Sequence, residues 1–412
     1  MDVEIITVGD ELLIGQVVDT NSAWMGRVLN DNGFRVVRKT AVGDEETAIV
    51  AAVDEAKKRA PVVMMTGGLG PTKDDITLHA LCRYFGCGMY FSEEVYAGIE
   101  QLFGRSGRPV NELTRTQAMV PDAATVIRNR AGTAPCTWFE RDDILLISMP
   151  GVPSEMKWLM TDEVLPRLRR HFRQDLFIRH QSYRVSGYTE SALAIHLAGF
   201  EDGLPASVKL AYLPQPGIIR LRLSAYCRQE GEAEEVLAPL CRLLEGRLRG
   251  HIISEGDKDI EAIVGERLRS RGATVATAES CTGGAIAALL TSVAGSSDYF
   301  RGGIVAYANA VKQGVLGVSA DALERHGAVS REVVEQMAGG ALKVTGSDFA
   351  VAVSGIAGPG GGTAEKPVGT VWIAVAGRDG RLKSGLYRFG SIREQNIGRA
   401  VNMALLLLLE ML

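Results

Sequence analysis

The octapeptide TAESCTGG, residues 277–284, joins a predicted strand to a predicted helix. The residues just before the turn, 273–277 (ATVAT), are small and β-branched, which is typical of a buried strand, and the apolar run over residues 285–290 indicates a helix. Strands alternate with helical segments of about ten to fifteen residues elsewhere in the chain as well. This alternation predicts α/β domains with mainly parallel sheets, which bind ligands at the carboxyl ends of their strands.

The same turn carries side chains that suit two different roles. Ser280 supplies a hydroxyl and Cys281 a thiol, and the N–H groups of Gly283 and Gly284 are expected to be open to a negative charge. One interpretation is a nucleophile beside an oxyanion site. The other is an ordinary helix start with Ser280 or Thr282 as its N-cap.

The composition is that of a globular protein with more than one core. The 412 residues predict two or three domains. A formal charge of −4 gives no general attraction to nucleic acid or anionic membranes. The start of the chain, residues 1–4, lacks the basic and apolar regions of a signal peptide, and the apolar stretch 403–412 is too short to cross a bilayer. We therefore expect a cytoplasmic protein without a membrane partner.

The cysteines are scattered, without a CxxC pair or a nearby histidine: Cys82, Cys87, Cys136, Cys227, Cys241 and Cys281. This spacing argues against a zinc site and against a disulfide framework, and it suits a reducing compartment.

Three segments are predicted. Residues 1–172 and 251–412 are each expected to form an α/β domain with a parallel-rich sheet. Between them, residues 173–250 have the order β-α-β-β-α, which indicates a small α+β module. A nucleic-acid-binding KH domain has a GxxG loop between helices, and this segment has none. Nucleic acid is therefore an unlikely partner, and a spacer or homodimerisation role is favoured.

A serine nucleophile in the third domain requires a base. His251 lies in the linker that opens the third segment and His326 at a predicted helix C-terminus, so neither suits a Ser-His-Asp triad. Lys312 follows a strand end, and a lysine becomes a base when burial lowers its pKa; the alternative is an exposed lysine on a helix. Ser354, in a second glycine-rich turn, and Arg393, at the start of the last helix, are candidate ligands for an anion.

The first domain places carboxylates after two predicted strands, at Asp10, Glu11, Asp74 and Asp75. Hard carboxylate oxygens beside a glycine-rich loop suit a divalent cation that bridges phosphates. The alternative is that the aspartates cap a helix and the glycines shape a turn. The loop glycines are Gly67, Gly68 and Gly70. An arginine-rich stretch at 167–173 (RLRRHFR) is interpreted as the solvated end of a helix, with a phosphate patch as the alternative.

Three runs in the last domain resemble the C-terminal domain of the CinA family of competence- and damage-inducible proteins: TAESCTGG, GGIVAYANAVKQGVLGV (302–318) and VSGIAGPGGGTAEKPVGTVWIAVA (353–376). The resemblance implies an amidase that converts nicotinamide mononucleotide to nicotinic acid mononucleotide and ammonia, without a cofactor. It implies a catalytic pair at Ser280 and Lys312. The substrate-binding residues implied are Tyr307, Ser354, Gly355, Arg393, Thr282, Gly283 and Gly284. Cys281 is not expected to be the nucleophile.

Two runs in the first domain, TVGDELLIGQVVDTNS (7–22) and TGGLGPTKDD (66–75), resemble the N-terminal domain of the same family, which is related to the molybdopterin-binding fold. The resemblance implies hydrolysis of ADP-ribose to AMP and ribose 5-phosphate with Mg, Mn or Co. Gly67, Gly68 and Gly70 would hold the phosphates. The alternatives are a pterin- or nucleotide-binding regulator linked to competence, without turnover, and a role in molybdenum-cofactor metabolism. The family resemblance of the flanking segments also implies that the module between them is KH-like.

Overall fold

The computed structural model describes residues 1–72, 74–107, 109–141, 144–172, 176–256 and 258–412. Lys73 of the glycine-rich loop and Arg173 of the arginine-rich stretch lie outside the described residues, as does the predicted start of the middle module at residue 173. Two compact units are present, one comprising 1–180 with 224–238 and the other 181–223 with 239–412.

The first domain is built on a six-stranded sheet with the order β2-β1-β3-β8-β7-β6. Its strands, and the short β4–β5 pair, are β1 Asp2–Val8, β2 Arg35–Val42, β3 Val62–Thr66, β4 Met89–Phe91, β5 Met119–Pro121, β6 Ala124–Ile127, β7 Cys136–Arg141 and β8 Ile144–Met149. The helices are α1 Asp10–Leu13, α2 Thr20–Asp31, α3 Glu46–Lys57, α4 Thr77–Phe85, α5 Glu93–Ser106, α6 Glu112–Thr116, α7 Pro153–Trp158 and α8 Leu165–His171, with a π-helical turn at Leu159–Val164.

The central strands of this sheet explain where its cleft forms. β1 pairs in parallel with β2 and β3, and β3 pairs in parallel with β8. β3 and β8 are buried along their whole length, as expected for parallel strands covered on both faces. The carboxyl ends of β1 and β3 therefore meet at one edge, where the loops after Val8 and Thr66 begin.

The middle module has a four-stranded sheet with the order β10-β11-β9-β12. Its elements are β9 Phe177–Val185, α9 Glu190–Glu201, β10 Val208–Gln215, β11 Ile218–Cys227, α10 Glu232–Arg247 and β12 Ile252–Glu255. The predicted β-α-β-β-α order is present, followed by the additional strand β12.

The third domain is built on a five-stranded sheet with the order β14-β13-β15-β16-β17. β13 pairs in parallel with β14 and with β15. β16 pairs antiparallel with β15, and β17 pairs antiparallel with β16. The elements are α11 Ile260–Ser270, β13 Val275–Glu279, α12 Ala285–Thr291, β14 Phe300–Val305, α13 Asn309–Gly314, α14 Ala320–His326, α15 Arg331–Thr345, β15 Phe349–Gly355, β16 Thr370–Gly377, β17 Leu382–Arg388 and α16 Arg393–Met411.

The two faces of this sheet differ in side-chain size. Successive residues of a strand point to opposite faces, and in β15 Val351 and Val353 pack in the cluster that contains α16, whereas Ala350 and Ala352 pack in the cluster that contains α15. The apolar C-terminal stretch is largely buried within α16. The small residues on the face covered by α15 allow the backbone of this helix to come close to its neighbours. Gly340 of α15 lies against the Leu316 carbonyl, between α13 and α14.

The predicted fold class is confirmed: parallel-rich α/β sheets flank a small KH-like module. The sequence did not reveal that both large sheets end in antiparallel strands. Strands buried on both faces have the same continuous apolar pattern in either orientation. One strand boundary differs from the prediction: β13 ends at Glu279, two residues beyond the predicted end.

Two adjacent glycines of α15 test the close packing on this face. A Cβ on Gly340 would lie 1.9 Å from the Leu316 carbonyl oxygen, whereas a Cβ on Gly339 meets no atom within 4 Å. We expect Gly340→Ala to lower the free energy of unfolding by about 1–3 kcal/mol through overpacking. The matched control Gly339→Ala is expected to raise it by up to about 1 kcal/mol, because alanine favours the helix. Denaturant unfolding measures both, and equal stabilities of the two variants would contradict this packing.

Candidate active sites

The turn after β13 lies at the carboxyl edge of the third sheet. Glu279, the last residue of β13, pairs with Val305 of β14 and with Val353 of β15. The N–H of Ser280 donates to the Val353 carbonyl oxygen at 2.9 Å. Ser280 is therefore held between two parallel neighbours, at the position where such sheets place ligands.

Lys312 reaches this serine from α13. Its Nζ lies 3.2 Å from Ser280 Oγ, and it donates to the carbonyl oxygens of Ala306 at 2.7 Å and Tyr307 at 3.3 Å. The lysine is 1% exposed. The alternative of a solvent-exposed helix lysine is therefore wrong, because α13 starts just after the strand end and turns this side chain inward.

Burial also sets the protonation of Lys312. Loss of hydration disfavours the ammonium ion, so the pKa of Lys312 is lowered from its usual value. A neutral amine has two N–H donors and one lone pair. When the two donors point to the carbonyls of Ala306 and Tyr307, the lone pair remains for the hydroxyl of Ser280. This arrangement is that of a base beside a nucleophile.

The glycines of the turn do not provide free donors. The N–H of Gly283 donates to the Ser280 carbonyl oxygen at 3.1 Å, and the N–H of Gly284 donates to the Glu279 carboxylate at 3.1 Å. The expectation of open N–H groups at both glycines is therefore wrong. The N-cap interpretation of Ser280 and Thr282 is also wrong, because α12 begins after Gly284 without a side-chain cap from either residue.

Two further candidates, Tyr307 and Arg393, come together at the rim of this site. Arg393 Nη2 donates to the Tyr307 hydroxyl at 3.3 Å and Nη1 donates to the Gly358 carbonyl oxygen at 2.9 Å. Both side chains are solvent-exposed, and Tyr307 is joined to Lys312 through its main-chain carbonyl. The structure thus brings these two predicted residues together, and their contact with a ligand stays a prediction.

Ser354 and Gly355 occupy the end of β15, next to the strand that carries Ser280. Ser354 is buried, and its hydroxyl donates to the Ala328 carbonyl oxygen at 2.7 Å. A Cβ on Gly355 would come within 2.9 Å of the Thr370 carbonyl oxygen, so this position requires glycine. Their predicted contact with substrate stays a prediction.

Cys281 is not activated. The thiol is 7% exposed, and burial raises its pKa to about 11, even though the charges of Arg393 and Lys312 act in the opposite direction. Because the thiolate is the nucleophilic form, Cys281 is unreactive near neutral pH.

The first domain contains a cavity of about 370 Å³ at the carboxyl ends of β1 and β3. Its wall includes Gly67, Gly68 and Gly70 together with the carboxylates Glu11, Asp19, Asp44, Asp74 and Asp75. Gly67 has a φ of 112°, and a Cβ there would lie 2.1 Å from the Val8 carbonyl oxygen, so the loop can take this path only with glycine. The predicted phosphate loop and three of the four predicted carboxylates are thus in one cleft.

The predicted metal ligands do not form a metal centre. Asp10 and Asp44 bond reciprocally through backbone N–H and carboxylate, at 2.9 and 3.2 Å, and Asp10 does not line the cavity. Asp75 accepts from the N–H groups of Gly70 at 2.7 Å and Thr72 at 2.9 Å, so it braces the loop. In the described parts of the chain, no group of three acidic, histidine or cysteine side chains is arranged to hold an ion.

Sequence reasoning missed the role of Asp44. Burial raises the pKa of its carboxyl, and the charges of Asp10, Glu11 and Asp74 raise it further, although the N–H of Asp10 acts in the opposite direction. The signal was the position of Asp44 just after β2, the third parallel strand that ends at this edge. Glu279 was missed because the predicted strand ended before it.

Comparison with known families assigns all three segments. Residues 4–170 match a probable molybdopterin binding domain, residues 180–254 the damage-inducible protein CinA KH domain, and residues 257–412 the CinA C-terminal domain. The fold and the matches define a multidomain α/β protein with a molybdopterin-binding-like domain and a CinA C-terminal domain. The boundaries predicted at residues 172 and 250 stay predictions.

The chain belongs to the CinA family. It is 42% identical over 397 residues to a CinA-like protein of Cytophaga hutchinsonii, covering 96% of this chain and 94% of the relative. A CinA-like protein of Gemmatimonas aurantiaca is 43% identical, covering 91% and 88%. A solved competence/damage inducible protein, CihA from Agrobacterium tumefaciens, is 45% identical over 38% of this chain and 98% of its own, with a TM-score of 0.36. Of the helices that the structure describes, none is both long and apolar enough to cross a membrane.

The raised pKa of Cys281 generates a test of the local environment. We expect iodoacetamide to leave Cys281 unmodified in the native protein at pH 7.5, and its modification to speed up only as the pH approaches 11, because only the thiolate reacts. Mass spectrometry of tryptic peptides measures this, with the half-buried Cys87 as the internal control. Rapid labelling of Cys281 at neutral pH would show that the thiol is accessible and activated.

Proposed function

We propose that the third domain hydrolyses the carboxamide of nicotinamide mononucleotide, giving nicotinic acid mononucleotide and ammonia. The observation that carries this proposal is the buried Lys312 Nζ, 3.2 Å from Ser280 Oγ and with a lowered pKa. Membership of the CinA family, together with the exposed Tyr307–Arg393 pair beside this dyad, supports a nucleotide as the substrate.

The first step acylates the serine. Neutral Lys312 takes the hydroxyl proton of Ser280, and the oxygen attacks the carboxamide carbon. The N–H groups of Cys281 and Thr282 are the remaining main-chain donors on the turn, since those of Gly283 and Gly284 are used. We assign the oxyanion to them. The tetrahedral intermediate then collapses, and the proton on Lys312 moves to the departing nitrogen, which leaves as ammonia.

The second step releases the acid. Water attacks the acyl carbon and Lys312 accepts its proton; as the carbon–oxygen bond to Ser280 breaks, Lys312 passes this proton to Oγ, which restores both the serine hydroxyl and the neutral amine. Both steps need neutral Lys312, so the rate is expected to rise with pH until this amine is deprotonated. Because burial lowers its pKa, the rise ends below the usual lysine value. We assign the guanidinium of Arg393 to the phosphate of the nucleotide, because its N–H donors match phosphate oxygens.

The dyad makes a specific prediction about three variants. Ser280→Ala and Lys312→Ala are each expected to lower kcat by at least about 1,000-fold, because removal of one member of a nucleophile–base pair removes the covalent route. Cys281→Ala is the matched control, a neighbouring buried side chain with a raised pKa, and we expect it to keep kcat within about three-fold. Ammonia release from nicotinamide mononucleotide measures all three.

Circular dichroism and thermal unfolding establish that each variant is folded. Near-wild-type turnover by the serine or the lysine variant would overturn the dyad. Tight binding of the nucleotide by the wild type without any ammonia release would instead favour a ligand-binding regulator.

For the first domain we propose hydrolysis of ADP-ribose to AMP and ribose 5-phosphate. The observation that favours it is the cavity at the strand ends, where the loop of Gly67, Gly68 and Gly70 faces acidic side chains. The N–H of Gly67 donates to the Met149 carbonyl oxygen at 3.2 Å and that of Gly70 to the Asp75 carboxylate at 2.7 Å, so a diphosphate would bind at the N–H of Gly68 or displace these bonds. The carboxylates of the described residues do not form a metal centre by themselves, so dependence on Mg, Mn or Co is part of the proposal rather than a property of the site alone.

Gly67 provides a variant for this second activity. We expect Gly67→Ala to remove AMP formation from ADP-ribose, because its Cβ would collide with the Val8 carbonyl and displace the loop. Gly86→Ala is the control: it is another glycine of the same domain with positive φ, but its Cβ meets no atom within 4 Å. Assays are run with EDTA and with each metal. Molybdopterin that co-purifies with a protein inactive on ADP-ribose would favour the cofactor-binding alternative.

A further inference from the structure

We infer that Glu279 is a positioning residue for the Ser280 nucleophile. This inference rests on the proposed amidase function of the third domain and adds to it the residue that holds the nucleophile turn in place. Glu279 does not lie over the reacting atoms; it acts through the backbone on both sides of them.

The carboxylate of Glu279 is buried, with 1% exposure. One oxygen, Oε2, accepts from the N–H of Gly284 at 3.1 Å and of Ile286 at 3.0 Å, and the other, Oε1, accepts from the N–H of Ala287 at 2.8 Å. None of the ion pairs between described residues involves this carboxylate. A buried charge without a cation is costly unless it is well hydrogen-bonded, so the three N–H groups are what keep Glu279 in place.

These contacts join the two ends of the nucleophile turn. The backbone of Glu279 is fixed in the sheet between β14 and β15, and its side chain is fixed to the first turn of α12. Ser280 follows Glu279 directly, so the segment from Ser280 to Gly284 is closed by a side-chain bridge from residue 279. Such a bridge fixes the direction of Ser280 Oγ.

The main chain of Glu279 also bonds to the segment that holds the base. Its carbonyl oxygen accepts from the N–H of Ala306 at 2.7 Å, and the carbonyl oxygen of Ala306 accepts from Lys312 Nζ at 2.7 Å. One residue therefore sets the position of the nucleophile through its side chain and that of the base through its backbone. The two catalytic groups share a common support.

Glutamine at this position would disturb the nucleophile and leave the base nearly unchanged. A carboxylate accepts on both oxygens, whereas a glutamine amide accepts on one and presents N–H groups on the other side. At least one of the three backbone donors would then face another donor, and the turn would move. A misplacement of about 1 Å at a reacting group is enough to cost about 100-fold in rate.

The test is Glu279→Gln in the full-length protein, assayed by ammonia release from nicotinamide mononucleotide. We expect kcat to fall about 10–100-fold while KM stays within about three-fold, because the substrate-binding rim at Tyr307 and Arg393 is not supported by Glu279. The pH at which the rate levels off reports Lys312 and is expected to move by less than about one unit. A purely structural role would scale kcat with the folded fraction and leave the turnover per folded molecule unchanged.

Glu4→Gln is the matched control. Glu4 is also a fully buried strand carboxylate, and it bonds to Arg59 at 2.8 and 3.0 Å in the first domain. Its loss is expected to lower stability and leave ammonia release per folded molecule intact. Glu279→Asp, which keeps the charge but shortens the reach, provides a second folded variant and is expected to lose kcat as well.

The outcomes separate the two claims. A wild-type protein that releases no ammonia overturns the proposed function and this inference with it. An active wild type with unchanged kcat in folded Glu279→Gln and Glu279→Asp overturns the inference alone. A parallel rise of KM with the loss of kcat also overturns it, because that result would assign Glu279 to substrate binding.

Discussion

The candidate amidase site depends on the removal of water from a single amine. Lys312 is 1% exposed, and the loss of hydration lowers its pKa toward the range in which it can act as a base. Two backbone carbonyls, from Ala306 and Tyr307, hold the nitrogen in place. The adjacent thiol of Cys281 undergoes the same burial with the opposite result, because there the charged form is the reactive one. The same burial thus favours the neutral amine of Lys312 and the neutral thiol of Cys281.

The sheet provides this environment through side-chain size. Alanines on one face of β15 bring α15 close to the strands, and valines on the other face fill the space beneath α16. Ser280 and Glu279 extend from the same layer, so the position of the nucleophile is set by strand register rather than by a free loop. Positions fixed on regular elements are held more precisely than positions on loops alone. The Tyr307 carbonyl accepts from Lys312, whereas Arg393 bonds to the Gly358 carbonyl in the loop after β15.

Sequence patterns predicted the elements better than the hydrogen bonds. The sequence was enough to predict the strand-to-helix turn, the start of α16 at Arg393 and the choice of Lys312 over His326. Polarity and position limit what each of these residues can do. The hydrogen bonds of the glycine N–H groups could not be predicted, since that of Gly283 depends on the local turn geometry and that of Gly284 on the direction of the Glu279 side chain. The same applies to Asp10, whose carboxylate bonds to the Asp44 backbone. Whether a polar group is available to a ligand is decided by partners distant in sequence, and local spacing does not encode them.

The antiparallel pairing of β15 with β16 has a consequence for evolution. The chain leaves β15 at Gly355 and re-enters the sheet at Thr370 on the same edge, so residues 356–369 form a loop that begins beside the nucleophile. The carbonyl of Gly358 in this loop accepts from Arg393. Insertions or deletions there would reshape the rim without disturbing strand register or the serine–lysine pair. Selection can therefore alter the entrance to the site independently of the Ser280–Lys312 pair.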